Sequence, residues 1–271
     1  MAVLQNKIDF ALVFSVKNAN PNGDPLNGNI PRVTLDGHGE LSDVCLKRKI
    51  RNRLQDFGEK IFVQSDDYRK DEFKSLKARA DSVLKDVEKD REKYQKLACQ
   101  TWIDVRSFGQ LFAFKGSDLS VGIRGPVTIQ PAFSLDTVNI TSLQITKSVN
   151  SEDKSDKKAS DTMGMKHSVD FGLYTTYGSI NPQLAELTGF SDEDAAVLKA
   201  ILPKLFENDA SSARPEGSMA VNTVFWWVHS CAAGQYSSAR VHNSLTVHRD
   251  GTYDLDTSAT PGLEPEILPG F

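Results

Sequence analysis

IDFALVFSVKNANPNGDPLNGN, residues 8–29, carries two patterns back to back. Ile8, Phe10, Leu12, Phe14 and Val16 recur at every second position, the signature of a strand with one face on a core. From Asn18 to Asn29, ten of twelve residues are Asn, Gly, Pro or Asp. Asn and Gly reach left-handed backbone angles at low cost and Pro fixes φ, so this stretch reads as a defined loop rather than a floppy linker. The chain therefore opens with a core strand that feeds a shaped loop.

The next segment is SDVCLKRKIRNRLQDFGE, 42–59, which reads as a helix. Ser42 suits an N-cap, Asp43 the positive N-terminus, and Gly58 a C-terminal stop. Leu46, Ile50, Leu54 and Phe57 form one apolar stripe. Lys47, Arg48, Lys49, Arg51 and Arg53 place five bases in seven residues. At 100° per residue, Lys47 and Arg51 flank the stripe on one side, Lys49 and Arg53 on the other, and Arg48 points away. Bases this dense repel one another unless they face anions or deep water, so the helix reads as a phosphate-contacting one.

Residues 64–97 are mostly charged with the signs interspersed, yet Phe73, Leu76, Ala80, Val83 and Val87 repeat as one apolar seam. This predicts a long helical insertion, either a partner-contacting finger or a solvated helix docked by that seam. TWIDVRSFGQLFAF (101–114) and IRGPVTIQPAFSL (123–135) read as strands. Residues 145–168 are polar until Met163 and Met165 and lie between the strand-like runs VNITSLQI and VDFGLYTTYGSI, which suggests an extended hairpin. SDEDAAVLKAILPKLFEN (191–208) has a capping-box start and a kink at Pro203. AVNTVFWWVHSC (220–231) is apolar on both faces and predicts a central strand, with Trp226 and Trp227 as core. RDGT (249–252) is a hairpin turn, and the proline-rich residues 256–271 predict a loosely held tail. The order β-α-β-β-α-β with insertions makes the chain α+β on a ferredoxin-like plan, the one RNA-recognition modules also use.

At 271 residues and 39% hydrophobic content the chain can bury a substantial core. With no signal pattern and no long apolar run, it reads as a soluble protein without membrane partners. Cys45, Cys99 and Cys231 form no CxxC pair, which argues against a disulfide framework and fits a reducing cytoplasm. The net charge of −4 excludes general nucleic-acid adhesion but not a local basic groove.

Catalytic signals are sparse. There is no phosphate loop, no GxGxxG and no GxSxG. His229 and Cys231 share a strand face without completing a zinc set, and Asn20, Asn22 and Asp24 lack the rest of a calcium loop. No metal or cofactor is expected, and the chain is expected not to be an enzyme. Asp24 is the one suspect for a metal-dependent RNase. Met163 and Met165 either tuck onto the sheet, wedge between bases or meet a neighbouring subunit.

NPNGDPLNGNIPR (20–32), SDVCLKRKIR (42–51), DVRSFG (104–109), IRGPV (123–127), GLYTTYGSIN (172–181), ARPEGSM (213–219) and GQYSSARVH (234–242) together resemble the CRISPR-associated backbone subunit of Cascade. More narrowly, they are similar to its type I-C version. The resemblance runs from residue 8 to about 248. It implies a hand-shaped protein with a palm (1–63, 98–144 and 169–255), helical fingers (64–97) and a β-hairpin thumb (145–168). Copies would polymerise along CRISPR RNA and hold it for pairing with target DNA, beside other Cascade subunits. By position, Asn20, Asn22, Arg32, Lys47, Lys49 and Arg51 are implied to hold the RNA backbone, with Arg106 and Arg240 in two further motifs. Met163, Met165, Lys166 and His167 fall at the base-displacing thumb. The related type III subunits, which cut RNA with a loop carboxylate, keep Asp24 as the alternative.

Overall fold

The alternation at residues 8–16 becomes strand β1, Ile8–Ala19, and the rest of the sheet is built around it. The computed structural model describes residues 2–114, 120–146 and 163–271. Short strands β2 (Gly23–Asp24), β3 (Ile30–Pro31) and β4 (His38–Leu41) precede helix α1 (Asp43–Asp56). Helices α2 (Leu76–Leu84), α3 (Arg91–Thr101) and α4 (Ile103–Phe108) lead into β5 (Gly109–Ala113) and β6 (Ser120–Arg124). Then come β7 (Val127–Ile129), β8 (Ala132–Thr137), β9 (Ile140–Thr146) and the long β10 (Met163–Ile180). Helices α5 (Pro182–Thr188) and α6 (Asp192–Ile201), strand β11 (Met219–Val228), helix α7 (Ser238–Asn243) and strands β12 (Leu245–Val247), β13 (Tyr253–Leu255) and β14 (Glu266–Pro269) complete the fold.

The main sheet runs β14-β11-β1-β10-β8-β4, with β7 and β9 also paired to β10, and every pairing in it is antiparallel. Its two faces are buried differently. On the front, Phe10, Leu12, Phe14 and Val16 meet Leu46, Ile50 and Leu54 of α1 and Ala195, Leu198 and Ile201 of α6. On the back, Ala11, Val13, Leu173, Phe225 and Trp227 meet Val241 of α7 and Leu245 of β12. Trp226 and Trp227 are both buried, as their strand pattern predicts. The β12–β13 hairpin turns at RDGT as expected.

A second cluster, from Phe62, Ala80, Leu84, Tyr94, Ala98, Trp102, Phe112 and Val121, joins α2 and α3 to the β5–β6 hairpin. The long helical insertion expected over 64–97 is broken into α2, a 3-10 turn at Lys85–Val87, and α3. Asp90 starts a new helix by accepting a hydrogen bond from Lys93 N–H at 3.1 Å, and the apolar seam turns inward onto the cluster. Within the stretch 101–114, expected as strand, residues 103–108 form helix α4. Its β-branched residues Ile103 and Val105 are buried, so tertiary packing overrides local strand preference. Gly109 ends it at φ 79°, where a Cβ would collide with the Ile123 carbonyl. The tail 256–271, expected to be loose, is tied down. Leu263 is buried, and β14 pairs with β11 from Glu266↔Trp226 to Pro269↔Thr223.

Candidate nucleic-acid interface

The turn-rich loop has a fixed shape. Asn18, Gly28 and Asn29 adopt left-handed φ values of 51°, 57° and 60°. Asp24 organises its tip: its carboxylate accepts from Leu26 N–H and from Arg32 Nη2, both at 3.2 Å, and its carbonyl accepts from Asn27 and Asn29 N–H. A Cβ at Gly23 would collide with the Asn29 side chain. Asn20 is buried, with Nδ2 donating to Asn29 O at 2.7 Å and its backbone N–H donating to Ala213 O. Asn22 Oδ1 accepts from both Ser42 N–H (2.9 Å) and Ser42 Oγ (3.0 Å), locking the loop to the α1 N-cap. Asn20, Asn22 and Arg32 thus build the loop. Asp24 serves as a turn cap and Arg32 partner. Among the described residues, no group of three or more His, Cys, Asp or Glu is arranged to hold a metal.

The basic helix divides into two kinds of residue. Lys49 is 3% exposed, pairs with Asp209 and lies 5.6 Å from the Phe206 ring. Arg51 Nε donates to Asp104 at 3.0 Å and its guanidinium packs over Phe108. Arg53 pairs with Asp56. Arg48 donates to the Val63 carbonyl at 2.7 Å. Burial, with Arg51 nearby, draws its proton affinity below the ordinary guanidinium value. Lys47 is the most available of the five, in an i,i+4 pair with Asp43 at 3.0 Å that solvent screens. The five bases therefore do not form one free phosphate-facing surface.

Two further candidates lie elsewhere. Arg106 forks onto Asp194 at 2.9 and 2.7 Å, where Asp194 is also the capping-box residue of α6. It clamps α4 to α6, with neither guanidinium edge directed at a groove. Arg240 is exposed on α7, donating to Ala259 O and packing over Tyr236. Because α7 covers the back of the sheet and α1 the front, Arg240 shares no surface with Lys47.

What the structure does bring together is the loop and the hairpin. A hollow of about 430 Å³ is lined by Asn20, Asn29, Ile145, Met165, Lys166, His167, Ser212 and Ala213. The described part of the hairpin pairs residues 140–146 with 163–169, while 147–162 lies outside the described residues. Met163 and Met165 stay 59% and 55% exposed instead of tucking onto the sheet. Gln144 Nε2 donates to Met163 Sδ at 2.6 Å, and His167 Nδ1 lies 2.7 Å from Ser142 Oγ. Lys166 is exposed, with no ion pair or hydrogen bond to its ammonium among the described residues.

Across the 209–214 loop lies a second hollow of about 520 Å³. It includes Asn22, Ser42, Arg48, Asn52, Tyr68 and Arg214. Arg214 Nε donates to Asp209 at 3.0 Å, so Asp209 serves two cations. Asn52, Tyr68, Asp209 and Ser212 carry no individual signal in the sequence, while Asn29 lies in the turn-rich loop motif already singled out. The arrangement offers backbone amides, Asn amides, the exposed Lys166 ammonium and exposed thioethers, groups that can hold a sugar-phosphate chain without reading base edges.

Comparison with known proteins gives the family. A CRISPR-associated protein Cas7 of Haloferax volcanii is 27% identical over 238 residues, covering 76% of this chain and 66% of that protein's length. A chain from the solved structure "CRISPR RNA-guided surveillance complex, pre-nicking" shares the fold with a TM-score of 0.51. That match has 16% identity and covers 82% of this chain and 78% of the other. The family profile of CRISPR-associated protein Cas7 spans residues 6–261, from the start of β1 to the approach of β14, and the chain belongs to that family.

Proposed function

We propose that this protein is a non-catalytic backbone subunit that holds CRISPR RNA in a type I-C surveillance complex. Further copies of itself line up along the guide, and target DNA pairs with the held strand. The observation that carries the reading is the hollow where Asn20 and Asn29 of the rigid loop face Lys166 and the exposed Met165 of the hairpin. Neutral backbone and amide groups there suit any guide sequence, leaving specificity to base pairing. The sheet order supports a ferredoxin-like palm, since β11-β1-β10-β8 is the 4-1-3-2 arrangement of a β-α-β-β-α-β unit. The hairpin would be the thumb and the α2–α3 segment the fingers, acting in the cytoplasm beside other Cascade subunits.

The test is expression with and without a CRISPR array, followed by sizing of the RNA that co-purifies. Guide-length RNA protected in regular steps is the expected result, with Lys47→Glu combined with Lys166→Glu reducing retention at least tenfold. Monomeric protein free of RNA in the presence of the array would overturn the reading. Asp24→Ala, which removes the Arg32 partner, should affect loop order and no cleavage activity.

A further inference from the structure

The back of the main sheet is only partly covered. Helix α7 and the β12–β13 hairpin bury Ala11, Val13, Leu173, Phe225 and Trp227. One rung beyond this cover, Lys17 of β1 pairs directly with Phe171 of β10. Phe171 lies two residues before Leu173, so strand alternation directs it to the same face. It is 55% exposed, and Lys17 is exposed with no partner for its ammonium among the described residues. Ser15 pairs with the exposed Ala220 on the next rung, so small side chains leave the ring accessible. Two carboxylates on the flanking strands are engaged: Thr141 Oγ1 donates to Asp170 at 2.6 Å, and Asp136 pairs with Arg249 at 2.7 Å.

We infer that this uncovered strip is a second nucleic-acid platform, on which a base of a single-stranded chain stacks on Phe171 while Lys17 meets the adjoining phosphate. An aromatic face beside an unpaired cation on the two central strands of an open sheet is the chemistry of single-strand binding. Along the chain the strip adjoins residues of the hollow already described. Asn18 follows Lys17 directly, Asn20 lies three residues on, and Lys166 and His167 precede Phe171 on β10. The inference leans on the nucleic-acid reading of that hollow only through this continuity.

The test uses the full chain, purified with and without guide RNA, and fluorescent oligothymidylate and oligouridylate of about 15 nucleotides. Phe171→Ala should weaken binding about tenfold, the loss of one base stack, while Phe171→Trp preserves it with quenching of the new indole. Lys17→Glu should weaken binding and lower the salt slope by about one ion. If guide-loaded protein binds both oligonucleotides through Phe171, the platform takes a second strand. If Phe171→Ala instead lowers the amount of guide retained, the platform lies on the guide's own path. Wild-type affinity and guide retention in both Phe171→Ala and Lys17→Glu would overturn the inference and leave the backbone reading intact. Oligonucleotide binding through Phe171 by protein that never carries guide RNA would do the reverse.

Discussion

Lys47 and Lys49 stand two positions apart on α1, yet one faces solvent and the other faces Asp209 under Phe206. Reversing Lys49 to Glu places a carboxylate against Asp209 in a dry site, with an expected loss on the order of 3–5 kcal/mol in urea unfolding. Reversing Lys47 should change stability by less than about 1 kcal/mol, so its effect on RNA retention can be read directly. The same division separates Arg51 and Arg106 from Lys166. Sequence shows how many bases a segment carries but not which carboxylates answer them. The partners Asp104, Asp194 and Asp209 lie 53, 88 and 160 residues from Arg51, Arg106 and Lys49. Five bases on one helix looked like one groove for that reason. Lys166, with no ion-pair partner among the described residues, gave no stronger a sequence signal than the rest.

Elements with strictly local causes were legible. β1 follows from its alternation, α1 from Ser42 and its stripe, and α6 from the Ser191–Asp194 capping box, ending in a 3-10 turn at Pro203. Elements decided by distant packing were not. Helix α4 reads as strand because the burial that makes Ile103 and Val105 helical comes from two clusters assembled elsewhere. The tail is the clearest case, since its prolines conceal an edge strand. Phe271 N–H donates to Pro203 O, Gly270 N–H to Asn222 O, and Lys199 pairs with Glu266. Removing residues 257–271 deletes this ladder and the buried Leu263. It should lower the thermal midpoint by roughly 10 °C or more, about 3 kcal/mol at a few degrees each, measured by calorimetry.

At the scale of the molecule, a buried polar knot fastens the back layer to the sheet. Asp9 accepts from His229 Nε2 at 2.8 Å, Lys7 approaches to 3.2 Å, and His242 of α7 to 3.5 Å. Gln235 N–H donates to His229 Nδ1, which leaves the proton on the nitrogen facing Asp9. Burial alone would raise the Asp9 carboxyl. The hydrogen bond from His229, the nearby His242 and Ser238 and the charge of Lys7 outweigh it and hold the group well below its ordinary 3.8. A carboxyl lowered in the folded state contributes stability that is complete above about pH 4 and lost as the pH falls further. Urea midpoints measured from pH 6 to 3 should therefore decline steeply for the wild type. Asp9→Asn should start about 3 kcal/mol lower and decline less.

The strand order has a kinetic consequence. β1 lies between β10 and β11, whose residues are made some 150 to 220 positions later. On the ribosome its apolar edges wait roughly ten to forty seconds for both neighbours at ordinary elongation rates. The α2–α4 cluster, closed by the β5–β6 hairpin, draws only on residues 62–123 and can form in that interval. Nascent chains stalled before residue 169 should thus hold a folded middle and a sticky, unpaired N-terminal strand, and such chains will depend on holdase chaperones.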